Sequence, residues 1–108
     1  MLMSAASHVA VVGSLAYTER LRALPSEFQA TLVPEPDNRY FLHAIAVHGP
    51  SGKIGYVAPE GARSRYEAIK AAAAAGPVAC SAQRGRGERT AQGAIEVFVD
   101  LSAFPVAE

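Results

Sequence analysis

Cysteine is nearly missing: Cys80 stands alone in 108 residues, so no disulfide closes within the chain and no second thiolate is on hand for a metal pair. A chain of this kind suits a reducing compartment, and a cytoplasmic location is expected. Long apolar runs are missing too. No window approaches the ~20 apolar residues of a membrane span, and Met1-Leu2-Met3-Ser4-Ala5-Ala6-Ser7 has neither the basic flank nor the apolar core of a secretory signal. No membrane partner is expected, and the opening residues read as a frayed end. Net charge is absent as well: ten Lys and Arg balance ten Asp and Glu. A broad electrostatic grip on duplex nucleic acid has no support from that balance, although local basic patches are compatible with it.

The common catalytic signatures are also lacking. There is no Gly-x-Ser-x-Gly elbow, no His-Glu-x-x-His and no Gly-rich dinucleotide fingerprint. Gly49-Pro50-Ser51-Gly52-Lys53 resembles a phosphate loop only superficially, being too short and followed by Ile54 where a hydroxyl belongs, so it reads as a turn. His8, His43 and His48 have no Cys or carboxylate companion at ligand spacing. Neither catalytic activity nor a cofactor or metal is expected, and Cys80, in an apolar stretch, reads as a small core residue.

What is present is a regular pattern of short β-type segments. One domain is expected over residues 8–102, with residues 1–7 and 103–108 as disordered end and tail. His8 to Gly13, with three valines, reads as a first strand. Thr18 to Leu24 reads as a short helix stopped by Pro25. Glu27 to Val33 alternates, with Phe28, Ala30 and Leu32 on the apolar face. Leu42 to His48 alternates again, Ile45, Val47 and His43 on one side and Ala44, Ala46 and His48 on the other. Gly49-Pro50-Ser51-Gly52 is then a type I turn into a strand from Lys53 to Val57.

Pro59 to Ala75 reads as one long helix, opened by Pro59 and Glu60 and stopped by Gly76-Pro77 with a left-handed cap. Ala62, Tyr66, Ile69 and Ala73 form its buried face, while Arg63, Arg65, Glu67 and Lys70 face solvent. Val78 to Ala82 is a strand, Gln83 to Arg89 a flexible basic loop, and Ala94 to Leu101 a closing strand with Ile95, Val97, Val99 and Leu101 inward. The expected fold class is α+β: a small barrel-like sheet of about six strands with one long and one short helix.

The stretch from Val33 to Val57 carries the functional signal. Pro34 and Pro36 stiffen a loop in which Asp37 and Asn38 are turn formers, and Tyr40 follows as an aromatic of the exposed type. Three segments agree in order and spacing with one family: Glu35-Pro36-Asp37-Asn38-Arg39-Tyr40-Phe41, His43-Ala44-Ile45-Ala46-Val47, and Gly52-Lys53-Ile54-Gly55-Tyr56. With Val11-Val12-Gly13-Ser14-Leu15-Ala16-Tyr17 as the opening strand, the chain resembles the HIRAN domain from His8 to about Leu101. The resemblance implies a barrel with one or two helices. It also implies a non-catalytic module that recognises single-stranded or frayed DNA ends, in the studied cases with a free 3′ hydroxyl, in repair or replication-fork processing beside a helicase or nuclease.

Tyr17 and Tyr40 match family aromatics by position. The residues themselves add Phe41 as a stacking surface and Arg39 as a phosphate contact, with Lys53, Arg84 and Arg86 assisting. Tyr56 reads as packed rather than functional. The departures are Leu15 and Ala16 at basic and aromatic family positions, His43 for an asparagine, and Phe41 for an acidic residue. A phenyl ring cannot accept a hydrogen bond from a terminal hydroxyl. The second reading is a protein-interaction or self-assembling adaptor that keeps the fold without the DNA pocket.

Overall fold

A computed structural model describes residues 8–89 and 95–104. The proposed N-terminal end and most of the proposed tail lie outside them. The chain order is β1 (His8–Val12), a 3-10 turn (Leu15–Tyr17), α1 (Thr18–Arg22), β2 (Glu27–Pro34), β3 (Ile45–Gly49), β4 (Gly52–Val57), α2 (Pro59–Arg63), α3 (Tyr66–Ala75), β5 (Val78–Arg89) and β6 (Ile95–Asp100). The strands form a closed antiparallel barrel in the order β1-β4-β3-β2-β5-β6, with β1 pairing both β4 and β6. Among the described residues closure leaves no open sheet edge, which removes the usual template for unwanted strand pairing.

The alternation seen in the sequence fills the barrel. Ala30 and Leu32 of β2, Val9 and Val11 of β1, and Val97 and Val99 of β6 are all buried. Helix α1 packs against β4 and β6 and sends in Leu21, while Leu24, just beyond it, is also buried. Leu24 Cδ2 lies 3.2 Å from the site a Cβ would take on Gly49, so this leucine covers the β3–β4 turn. That turn is the two-residue connection expected, with Gly49 paired to Gly52.

Several expectations are corrected. The helix expected over Pro59–Ala75 is two helices, broken at Ser64 and Arg65. Arg65, expected in solvent, is only 4% exposed. Its Nε donates to Phe104 C=O at 2.8 Å and its Nη1 to Gly61 C=O at 3.1 Å. Turning inward lets the guanidinium satisfy carbonyls that burial would otherwise leave unpaired, at the cost of the regular helix. At the far end, Gly76 leaves α3 at φ 158°, ψ 178° rather than in the left-handed region, its N–H still closing on Ala73 C=O.

The strand expected from Leu42 starts at Ile45, because His43 takes φ 60° with its ring 5.1 Å from that of Tyr66. Ala44 through Val47 are all buried, so β3 is covered on both faces and its alternation is lost. Finally, Gln83 to Arg89 is not a flexible loop but the second half of β5. Its backbone is held by Arg84 N–H on Ser26 C=O at 2.9 Å and by pairing of Arg84 with Val97 and Arg89 with Ile95.

Candidate nucleic-acid interface

Between β2 and β3 the chain makes a closed loop. Glu35 N–H bonds Ala44 C=O at 2.8 Å to form its neck, and Asn38 N–H bonds Glu35 C=O at 3.1 Å to form its first turn. Asn38 Oδ1 accepts from the N–H groups of Tyr40 and Phe41 at 2.7 and 2.8 Å, as a turn-forming Asn does with the chain ahead of it. Its Nδ2 donates to Glu35 Oε1 at 3.0 Å. One side chain therefore fixes both limbs of the loop.

The loop is in turn pinned to β4. Tyr56 Oη donates to Glu35 Oε1 at 2.9 Å, and Lys53 Nζ donates to Glu35 Oε2 at 2.8 Å and to Tyr56 Oη at 3.0 Å. Burial alone pushes the Glu35 carboxyl up, but the bonds from Lys53, Asn38 and Tyr56 outweigh it and hold the group below the ordinary glutamate range. The Glu35 carboxylate, with the Tyr56 hydroxyl, pushes the Lys53 ammonium above its ordinary range. Phe41 leans on the Tyr56 ring at 5.2 Å between centroids. On the other side, Tyr56 Cδ1 lies 3.7 Å from the Cβ position of Gly13, just past the end of β1.

Around Tyr56, then, the three separated stretches of the sequence meet: the end of β1, the Glu35–Phe41 loop and the Lys53–Tyr56 strand. Tyr17 joins this face through Arg20, whose guanidinium lies 5.5 Å from the Tyr17 ring centroid and donates to Lys53 C=O at 2.7 Å. Above the pinned base of the loop, Arg39 is exposed, and Tyr40 and Leu42 are 88% and 85% exposed. These are large apolar groups held out by a stiff loop, the arrangement of a contact surface rather than of a core.

Of the seven residues predicted from the sequence, Tyr17, Arg39, Tyr40, Phe41 and Lys53 come together here. Two are not free as expected: Phe41 is half-buried against Tyr56, and Lys53 is already paired with Glu35. Arg84 lies outside the loop face, its Nη1 donating to Arg22 C=O at the C-terminal end of α1. Arg86 has its backbone in β5, and its side chain lies outside the described residues.

Sequence reasoning missed Glu35, Arg20 and Tyr56 as members of the site. Strict alternation puts Lys53 and Tyr56 on opposite faces of a strand. Gly55 at φ 153° and the register shift between Val47 and His48 break that alternation and bring the two together. The repeated glycine of Gly52-Lys53-Ile54-Gly55-Tyr56 was the available signal, since an isolated strand glycine marks a bulge or close approach.

Cys80 is half-buried, and burial pushes its thiol up to about 11, far from a reactive thiolate. Among the described residues no cluster of His, Cys, Asp and Glu could hold a metal ion, and no helix is long and apolar enough to cross a membrane. Comparison of the chain with protein-family models, with curated proteins and with solved structures returns no match.

Proposed function

We propose that this is a HIRAN-like module, without catalytic activity of its own, that binds single-stranded or frayed DNA ends on the face formed by Tyr17, Arg20, Arg39, Tyr40, Phe41 and Lys53. The observation that carries the reading is the meeting of three sequence stretches at Tyr56 beneath an exposed Tyr40. A base needs only an aromatic face and a few donors to its phosphate, so a chain with no net charge is adequate to the task. In that setting the module delivers a repair or fork-processing helicase or nuclease to a DNA end. The family's acidic residue is replaced by Phe41, which packs on Tyr56 and offers no acceptor for a terminal hydroxyl. We therefore assign the face to strand stacking rather than to reading of the 3′ end.

A second reading draws on a specific observation: Tyr40 and Leu42 are both large, apolar and largely exposed on one loop, as at a protein contact surface. On that reading the loop is the contact of a protein adaptor. Fluorescence anisotropy with a labelled single-stranded oligonucleotide separates the two. Tyr40→Ala should weaken binding by about 1–3 kcal/mol, roughly 5- to 150-fold, the worth of one stacked base, with the circular dichroism spectrum unchanged. Equal affinity for the variant removes Tyr40 from the site, and absence of binding by the unaltered protein favours the adaptor.

A further inference from the structure

The loop face takes in Arg20 but not the other arginines around α1. Arg20 and Arg22 leave this five-residue helix on the solvent side. Arg20 donates to Lys53 C=O on β4, and Arg84 of β5 reaches the other end of the helix to donate to Arg22 C=O at 3.3 Å. The helix thus carries guanidinium groups from the edge of the loop face across to the start of the β2–β5 ladder. Glu19 offsets them in part, through a 3.3 Å contact with Arg22 in which both side chains are well exposed, 89% and 57%. Such a contact contributes little and yields readily to a competing anion. Glu27, opposite Gln83 at the start of β2, borders the patch. Arg84 is held across this surface by its Nη1 bond to Arg22 C=O, while its Nε is shielded from solvent and has no acceptor among the described residues.

We infer that Arg20, Arg22 and Arg84 form a backbone track that continues the loop face, so that a single strand whose end stacks at Tyr40 lays its following phosphates across α1 towards β5. This rests on the single-strand reading above. Arginine suits the role because its planar, always-charged fork binds phosphate oxygens in pairs. The Arg20 guanidinium, adjoining both the Tyr17 ring and β4, is the junction between the stacking face and the track. The track also gives a chain with balanced charge a local hold on a polyanion, since three of its ten cations lie along one path.

The test is the dependence of affinity on strand length. Anisotropy is measured with labelled oligothymidylates of about four and about twelve nucleotides, for the unaltered protein, Arg22→Gln/Arg84→Gln and Glu19→Gln. The track predicts tighter binding of the longer strand. The double variant should lose about tenfold on the longer strand and little on the shorter, and its log affinity against log salt should be shallower by about 1.4, two phosphates' worth. Glu19→Gln should bind the longer strand more tightly, a gain that a damaged fold does not produce. If both strands bind equally and none of the variants changes this, the track is refuted while the loop face stands. If the unaltered protein binds neither strand, both fall together.

Discussion

Glu35 holds the site together by accepting from three partners at once: Lys53 on one oxygen, and Tyr56 and Asn38 on the other. Through Asn38 that grip extends to the backbone of Tyr40 and Phe41. With both members of the Lys53–Glu35 pair only about a quarter exposed, 25% and 26%, the pair is worth more than a surface ion pair. Glu35→Gln keeps the shape but removes the charge, and should lower stability at neutral pH by about 1–2 kcal/mol. Because the folded carboxyl is held below its ordinary value of 4.5, this contribution is complete above that value. It is lost as the pH falls through the lower folded value. Chemical denaturation at pH 7 and at about pH 3 should therefore show the gap between the two proteins narrowing at the lower pH. A gap that is constant with pH would mean that the charge of Glu35 is not what stabilises the loop.

Among the elements, β4 is the one on which the site depends for its register. Gly55 allows it to depart from alternation: a Cβ there would lie 2.6 Å from both Val12 C=O and Val11 Cγ1 of β1, at φ 153°. Gly55→Ala should cost about 2 kcal/mol or more and, by pushing β4 from β1, should also disturb Tyr56. Thermal unfolding checks the first effect; an unchanged midpoint would show that β1 and β4 part without penalty. Strands β2 and β6 were legible because alternating segments such as Glu27 to Val33 and Ala94 to Leu101 have one dominant solution. The break in the long helix was not legible. Arg65 has the composition of an exposed helix residue, and nothing local reveals that Phe104, thirty-nine residues on, supplies its carbonyl. Nor could composition show that an arginine-rich stretch after Ala82 would be held as strand by pairing with β6.

At the scale of the whole molecule, the barrel is a frame that brings distant segments to one place. Closure through β1 puts the end of the first strand beside Tyr56 of β4, and the β2–β3 connection folds back on that same tyrosine. The loop, its turn formers and its exposed tyrosine were legible in the sequence, since Pro34, Pro36 and Asn38 act on their immediate neighbours. The pairing of Lys53 with Glu35, and the link from Tyr17 through Arg20 to β4, depend on closure and were not. The proposed function puts a single strand on this face and not on another side of the barrel. The most direct measurement is a two-dimensional amide NMR titration of the uniformly labelled protein with a short oligothymidylate. A strand bound on this face should concentrate the shifts at Tyr17, Arg39 to Phe41, Lys53 and Tyr56, with α3 unmoved. Shifts elsewhere, or none at saturating strand, would contradict it.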